Sequence, residues 1–221
     1  MVAVKEPTAA GMAVRTAATL FIFVVVFTGV LAGAYFLTKD ALAVSAAEEK
    51  LRLVNEVLPP AQYDNKLLDD ALTLPATAEL GLKEASTVYR ARRAGEPVAL
   101  VFESVAPDGY AGKIRLLIAL KADGSVAGVR VMQHKETPGL GDYIEPKKDK
   151  NKERPWITQF DGLSLDKLPL AQWKVKKDGG QFDSVAGATV TPRAVVTAVK
   201  KAVEYVTPHR NEWFQATAAK S

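Results

Sequence analysis

The sequence predicts an α+β fold, in which helices pack on a twisted antiparallel sheet and one N-terminal transmembrane helix precedes the domain. Three observations predict this fold. A long apolar segment without charge lies near the N-terminus, short apolar runs separated by turn residues fill the middle of the chain, and an amphipathic helical pattern follows them.

The apolar segment at residues 16–38 contains no charged side chain, and Arg15 and Lys39 close its two ends. A helix of this length rises about 34 Å, enough to cross a hydrocarbon core about 30 Å thick. Residues 41–43, Ala-Leu-Ala, resemble a signal-peptide cleavage site, but a signal-peptide core has only about 7–15 apolar residues. We therefore predict a retained anchor rather than a cleaved signal peptide.

The charges that flank the anchor predict its orientation. Lys5, Arg15 and the amino terminus outweigh Glu6 on the short N-terminal side. Because positive residues favour the cytoplasmic side of a membrane, we expect residues 1–15 in the cytoplasm and the domain on the far side.

Residues 41–85 form the predicted connecting region. Apolar residues at helical spacing indicate a helix that stops at Pro59, and the remainder supports no firm assignment. The predicted domain covers residues 86–207, and residues 208–221 form a tail. The antiparallel strands of the domain are predicted at 86–92, 97–104, 113–121 and 126–133, with 173–177 as a candidate fifth strand.

The last predicted element is an amphipathic helix. Thr191 is a suitable N-cap and Pro192 is suited to the first helical position. The apolar stripe continues to Val206, and we expect the helix to end before Pro208.

Composition excludes several classes of function. The net charge of +4 is mild, and no basic stripe interleaved with aromatic residues indicates nucleic-acid binding. The basic run at residues 147–154 is interpreted as a solvated loop that Trp156 and Phe160 pack onto the domain. The chain has no cysteine and only two histidines, His134 and His209, of which we expect the second to be exposed. Thiolate clusters and self-contained zinc or haem sites are therefore disfavoured, and redox chemistry would need an organic cofactor.

Residues 183–189, Asp-Ser-Val-Ala-Gly-Ala-Thr, immediately precede the predicted helix. The N-terminus of a helix favours an anion such as phosphate, and Gly187 and Ala188 would let a large planar ligand approach the backbone. The Thr189 hydroxyl could carry a phosphate ester there, with Arg193 beside it. On Gly187, Ala188 and Thr189 alone, a purely structural turn is the simpler interpretation.

Residues 183–189 resemble the flavinylation motif of the FMN-binding domain family. In that family a flavin transferase moves FMN from FAD onto the hydroxyl of the Thr in Gly-Ala-Thr, so the resemblance implies covalent attachment at Thr189 rather than Thr191. Ala186 stands where the family usually has Ser or Thr.

Residues 134–141, His-Lys-Glu-Thr-Pro-Gly-Leu-Gly, are similar to a signature of the G-type flavin component of the Rnf electron-transport complex. A tight turn at Pro138-Gly139 predicts backbone amides that bind the polar edge of an isoalloxazine, with Leu140 on its ring face. The cofactor-binding residues implied are Glu136, Thr137, Gly139, Leu140, Gly141, Asp183, Gly187, Ala188 and Thr191, with His134 and Arg193 as further candidates.

The resemblance implies a membrane-anchored electron-transfer subunit with covalent FMN, part of an ion-translocating ferredoxin:NAD oxidoreductase in the cell inner membrane. Its flavin domain would be periplasmic, its partners would be other membrane subunits, and a flavin transferase would mature it. No catalytic group beyond the flavin, no metal and no nucleic acid are implied. Two alternatives stay open: a C-type flavin subunit of the sodium-translocating NADH:quinone reductase, and a non-redox membrane-anchored binding domain.

Overall fold

The computed structural model describes residues 8–185 and 187–216 of the 221 residues, and the chain divides into two compact units, residues 1–49 and 50–221. Helix α1 (Ala9–Val57) is continuous, so the predicted anchor and the predicted connecting helix are one element. Its part at Ala9–Leu42 has a mean hydropathy of 2.5 over its most apolar stretch, none of which is buried. This part is long and apolar enough to cross a membrane.

Five antiparallel strands form one sheet in the second unit, in sequence order. They are β1 (Ala71–Leu74), β2 (Ser86–Arg93), β3 (Glu96–Gly109), β4 (Gly112–Lys121) and β5 (Val126–Gln133). The four predicted strands are confirmed. The two residues between β2 and β3, Ala94 and Gly95, have φ values of 50° and 84°, the positive values that a tight hairpin turn requires.

The candidate fifth strand at 173–177 was wrong. Val175 makes only an isolated bridge to Phe182, and Lys176–Asp178 is a 3₁₀ turn. Gly180 allows the backbone to approach Lys174 closely in this turn, because a Cβ at 180 would lie 2.1 Å from the carbonyl oxygen of Lys174. The fifth strand is instead β1, which lies in the region without a sequence assignment.

The sheet buries both of its faces. On one face Leu100, Phe102 and Leu116 pack in the core that includes α2, and on the other Val101 and Ala119 pack with the C-terminal end of α1. Alternation along the strands therefore separates two hydrophobic cores, which explains why β4 is buried without interruption from Leu116 to Leu120.

Helix α2 (Val190–Gln215) begins and ends elsewhere than predicted. Its N-cap is Thr189, so Thr191 and Pro192 lie in the first turn, and it continues through Pro208. Residues 208–215 of the expected tail are helical because their aromatic side chains are buried: Trp213 and Phe214 are each 6% exposed. His209 is half-buried rather than exposed, between the rings of Tyr205 and Trp213.

Two arginines of β2 close the C-terminal end of α2. Arg90 donates hydrogen bonds to the carbonyl oxygens of Trp213 and Ala216, and Arg92 donates one to that of Phe214. Asp70 binds both guanidinium groups, at 2.5 Å and 2.9 Å. The last carbonyls of a helix lack partners within it, so these arginines supply the missing donors.

Candidate functional site

Glu136 lies where three segments meet: the β3–β4 hairpin, the segment after β5 and the start of α2. The residue is only 4% exposed. Its Oε1 accepts a hydrogen bond from the backbone N–H of Ala111 at 2.9 Å, and its Oε2 accepts one from the Thr191 hydroxyl. Because buried polar groups need such partners, this carboxyl group joins the three segments.

Glycines make room for this carboxyl group. A Cβ on Gly141 would lie 2.8 Å from Thr191 Oγ1 and 2.9 Å from Glu136 Oε2, and one on Gly109 would lie 2.9 Å from Glu136 Oε1. These distances are shorter than real Cβ contacts. The glycine at 141 in the predicted motif is therefore required for packing.

A small pocket of about 110 Å³ opens beside Glu136. Its walls are Tyr110, Glu136, Thr137, Leu140, Gly141, Gly187, Ala188, Val190 and Thr191. The structure thus brings seven predicted binding residues together and adds Tyr110 and Val190. Tyr110, Leu140 and Val190 are 70%, 52% and 42% exposed, so the pocket has an apolar rim. Tyr110 could have been found from the sequence, because a tyrosine between Gly109 and Gly112 is placed at a hairpin tip.

Thr189 presents an unpaired hydroxyl at the start of α2. The residue is 9% exposed, and its side chain makes no capping hydrogen bond. Among the described residues the one buried side-chain polar atom without a partner is Thr207 Oγ1, so the unbonded Thr189 hydroxyl reaches solvent. The first hydrogen bond of the helix runs from the Arg193 N–H to the Thr189 carbonyl at 3.1 Å, which leaves the N–H groups of Val190 and Thr191 without partners within the helix.

The turn that leads to Thr189 is held at its beginning by Trp156 and Gln159. Trp156 Nε1 donates to the Asp183 carbonyl at 2.7 Å, and the Asp183 N–H donates to Gln159 Oε1 at 2.9 Å. The Asp183 carboxylate pairs with Lys176 at 2.5 Å, with both side chains more than half exposed. Ala186 lies outside the described residues.

The turn at 137–141 uses its amides internally. The N–H groups of Leu140 and Gly141 donate to the Thr137 carbonyl at 3.1 Å and 3.0 Å, and that of Gly139 donates to Asp142 Oδ1 at 2.8 Å. Binding of these amides to the edge of an isoalloxazine stays a prediction, and it competes with the acceptors that the turn itself supplies. The Leu140 side chain remains free on the pocket rim.

The two further candidates, His134 and Arg193, are engaged in other contacts. The Glu136 N–H donates to His134 Nδ1 at 3.0 Å, so the ring proton is on Nε2, which donates to Glu145 at 2.6 Å. Arg193 forms two hydrogen bonds with Asp178, at 2.6 Å and 2.8 Å, which hold the pKa of that carboxyl below its ordinary value. Contact between Arg193 and a phosphate stays a prediction, and it competes with this ion pair.

A larger cleft of about 490 Å³, which the sequence did not predict, adjoins residues 183–185 of the turn that leads to Thr189. Its walls include Leu140, Tyr143, Trp156, residues 148–151 of the basic run and residues 183–185. Tyr143 and Trp156 meet edge to face at 5.8 Å, and burial raises the pKa of Tyr143 to about 12. Trp156 and Phe160 are buried in the core, as expected.

Comparison with known proteins identifies the family. The profile of a family described as FMN-binding domain matches residues 109–204, and one described as RnfG N-terminal region matches residues 11–57. The G subunit of the ion-translocating oxidoreductase complex of Pseudomonas aeruginosa is 46% identical over 89% of both chains. The G subunits from Vibrio vulnificus and Pseudoalteromonas atlantica are 43% and 41% identical, over 88% and 90% of this chain and 89% and 90% of their own. The chain belongs to the G-subunit family of ion-translocating oxidoreductase complexes.

Membership in the G-subunit family confirms the predicted relationship and resolves the choice between G-type and C-type flavin subunits. A G subunit is one part of a multi-subunit electron-transport complex, and an apolar N-terminal helix accords with membrane anchoring. The matched FMN-binding domain contains both Glu136 and Thr189.

The site residues fit FMN. Gly187 has a φ of 81°, and a Cβ there would meet nothing within 4 Å, so open space lies two residues before Thr189. The pocket of about 110 Å³ is smaller than the usual ligand pocket of about 300–1,000 Å³. It can therefore enclose only part of an FMN, and the apolar rim of Tyr110, Leu140 and Val190 is suited to contact the rest.

Proposed function

We propose that this G subunit carries FMN as a phosphoester on Thr189 and exchanges electrons with neighbouring subunits of a ferredoxin:NAD oxidoreductase. The observation that carries the proposal is the unpaired, solvent-reaching hydroxyl of Thr189 at the N-terminus of α2. FMN supplies the reversible redox chemistry of the isoalloxazine ring when bound.

The contrast between Thr189 and Thr191 supports the attachment position. Thr191 is 2% exposed, and its hydroxyl is bound to Glu136. A transferase would have to break this buried hydrogen bond to modify Thr191, whereas the hydroxyl of Thr189 has no hydrogen bond to lose. Attachment would break the phosphoanhydride bond of FAD, form the ester to Thr189 Oγ1 and release AMP, with the hydroxyl proton leaving to solvent.

The start of α2 is suited to hold the phosphate. The N–H groups of Val190 and Thr191 have no partners within the helix, and the positive end of the helix dipole favours an anion. Small side chains at Gly187 and Ala188 leave the approach open. Glu136 fixes this end of α2 against the rest of the domain through Thr191.

The cellular placement is part of the same proposal. The predicted positive N-terminal flank puts the flavin domain on the periplasmic side of the inner membrane, where a flavin transferase matures it. Protease added to spheroplasts should digest residues 50–221 and spare a tag at the N-terminus. Digestion only after the membrane is broken would reverse the proposed orientation.

Intact mass measurement tests the attachment. The protein expressed in membranes together with its flavin transferase should gain the mass of one FMN less one water, and the denatured band should fluoresce in a gel. The Thr189→Val variant should lose both signals and the Thr191→Val variant should keep them. Retention of the flavin by Thr189→Val, or its loss only in Thr191→Val, would place the attachment elsewhere.

A further inference from the structure

The basic loop at residues 147–154 is a folded surface feature. Asp149 is 9% exposed, and its carboxylate accepts hydrogen bonds from the N–H groups of Asn151 at 2.9 Å and Trp156 at 2.5 Å. Asn151 Oδ1 in turn accepts one from the Arg154 N–H at 3.0 Å. These bonds give the loop a defined conformation, where the sequence indicated only a solvated segment.

The cations of the basic loop face solvent. The exposed ones are Lys147, Lys148, Lys150, Lys152 and Arg154. In the described part of the chain only Lys148 has an acidic partner, Glu145 at 3.4 Å, and Lys152 bonds to backbone carbonyls. With Glu153 as its one exposed acid, the loop presents a net positive surface.

The acids that line the cleft form no ion pair with the cations of the basic loop. Asp142 accepts a hydrogen bond from the Gly139 N–H at 2.8 Å. Asp149 accepts its hydrogen bonds from the N–H groups of Asn151 and Trp156. Asp183 pairs with Lys176 at 2.5 Å. Among the described residues Lys150 and Arg154, which line the cleft, therefore make no ion pair and remain exposed to solvent.

The basic loop and an apolar surface share the large cleft. Lys148, Lys150 and Arg154 lie on its walls, together with Leu140 and Val185, which are 52% and 48% exposed. Exposed apolar side chains bordered by charged ones are typical of the core and rim of protein interfaces. The cleft also borders the turn that carries Thr189, so a partner seated there would lie beside the proposed flavin.

We propose that this face, the basic loop with Leu140 and Val185, docks an acidic patch on a neighbouring subunit of the complex. Charge complementarity argues for this occupant, because unpaired cations around apolar side chains would steer and orient a partner of opposite charge. The proposal rests on family membership, which establishes that neighbouring subunits exist, and not on the covalent flavin. The Thr189→Val chain should therefore dock as the unmodified protein does.

Lysine footprinting tests where the partner sits. The full-length protein alone and the assembled complex, both in the same detergent, are labelled with an amine-reactive reagent and analysed by mass spectrometry. Lys148 and Lys150 should label at least about fivefold more slowly in the complex, as expected for interface side chains taken from water. The exposed lysines Lys66 and Lys83 should label equally in both. Equal labelling of Lys150 in the two samples overturns the proposal.

Charge reversal tests the chemistry of the occupant. The variant Lys148→Glu, Lys150→Glu, Arg154→Glu should be recovered about tenfold less on an affinity-tagged neighbouring subunit than the natural chain. Recovery of the natural chain should itself fall as the KCl concentration rises from about 50 to about 500 mM. A matched control reverses Lys66, Lys83 and Lys201. Unchanged recovery of the loop variant, or equal loss in the control, refutes the proposal.

Two further arms separate the remaining explanations. The Lys148→Gln, Lys150→Gln, Arg154→Gln variant removes charge without reversal and should give an intermediate loss with an unchanged melting temperature. Vesicles of anionic phospholipid supply the membrane arm: if they protect Lys148 and Lys150 of the isolated protein while the complex does not, the occupant is lipid and the proposal fails. If the Thr189→Val variant loses the flavin but docks normally, the docking proposal holds and attachment at Thr189 is supported.

Discussion

The buried contact between Glu136 and Thr191 gives the sharpest stability prediction. Glu136→Ala removes the acceptor of two donors, the Thr191 hydroxyl and the Ala111 N–H. Thr191 is 2% exposed, so its hydroxyl bears most of a desolvation penalty of about 2 kcal/mol, whereas Ala111 is exposed and water limits its share to about 1 kcal/mol. The free energy of unfolding should fall by about 3 kcal/mol.

Thermal unfolding followed by circular dichroism measures this loss. For a domain of this size, about 3 kcal/mol corresponds to a fall in melting temperature of about 6–12 °C. Glu136→Gln is the matched control, because its amide oxygen can still accept one hydrogen bond and the Thr191 hydroxyl can turn to accept from the amide nitrogen. That variant should lose about 1 kcal/mol or less.

A double-mutant cycle tests the physical reason. Thr191→Val removes the donor, so the double variant with Glu136→Ala leaves one fewer buried group unpaired than the sum of the single variants implies. The coupling energy should be about 1–2 kcal/mol. Strict additivity, or a Glu136→Ala variant within about 0.5 kcal/mol of the natural chain, would refute the assignment of Glu136 as the contact that joins the three segments.

Variants at three other features are tested by thermal or urea unfolding. Arg90→Ala leaves Asp70 and the end of α2 without their buried partner and should lower the free energy of unfolding by about 3–5 kcal/mol. Arg92 is more exposed, so Arg92→Ala should lower it by about 1 kcal/mol. Equal losses would contradict the role of Arg90 as the buried partner of the helix end. Gly141→Ala should lower the free energy of unfolding by about 1–3 kcal/mol, because its Cβ would lie 2.8 Å from a side-chain oxygen. A variant of unchanged stability would show that the neighbouring side chains move to make room for the Cβ. Partial burial raises the pKa of Asp161 to about 6, so its contribution to stability is full below about pH 4 and is lost as the pH rises through 6. Because Asp161 also meets solvent, Asp161→Asn should gain under about 1 kcal/mol at pH 7 and nothing at pH 4, and a gain at both values would exclude this cause.

Local sequence signals predicted the elements that depend on neighbouring residues. The hairpins of β2 to β5 follow from alternation and turn residues, and the apolar helix from an uncharged segment. The end of α2 could not be predicted this way. Pro208 is an ordinary stop signal, and it is overridden because Arg90, far away in sequence, binds the carbonyls beyond it.

The candidate site was predicted as two motifs but not as one arrangement. The hydrogen bond between Glu136 and Thr191 joins residues 55 positions apart, and no periodicity reports such a pairing. The motif gave Thr191 as a binding residue, whereas its hydroxyl is held by Glu136. Likewise, the residue types of 147–154 showed only charge; the buried Asp149 that folds the loop is visible only in three dimensions.

The size of the pocket supplies a physical reason for a covalent bond in the proposed function. A non-covalent ligand is retained by the surface that it buries, and a pocket of about 110 Å³ can bury only a small part of an FMN. A phosphoester at Thr189 would replace that lost affinity and leave the rest of the cofactor on the open rim of Tyr110, Leu140 and Val190. Such a rim can be reached by another subunit, whereas a deep pocket would keep it out of contact. Leu140 lines both the small pocket and the basic cleft, so attachment and docking would meet at one side chain.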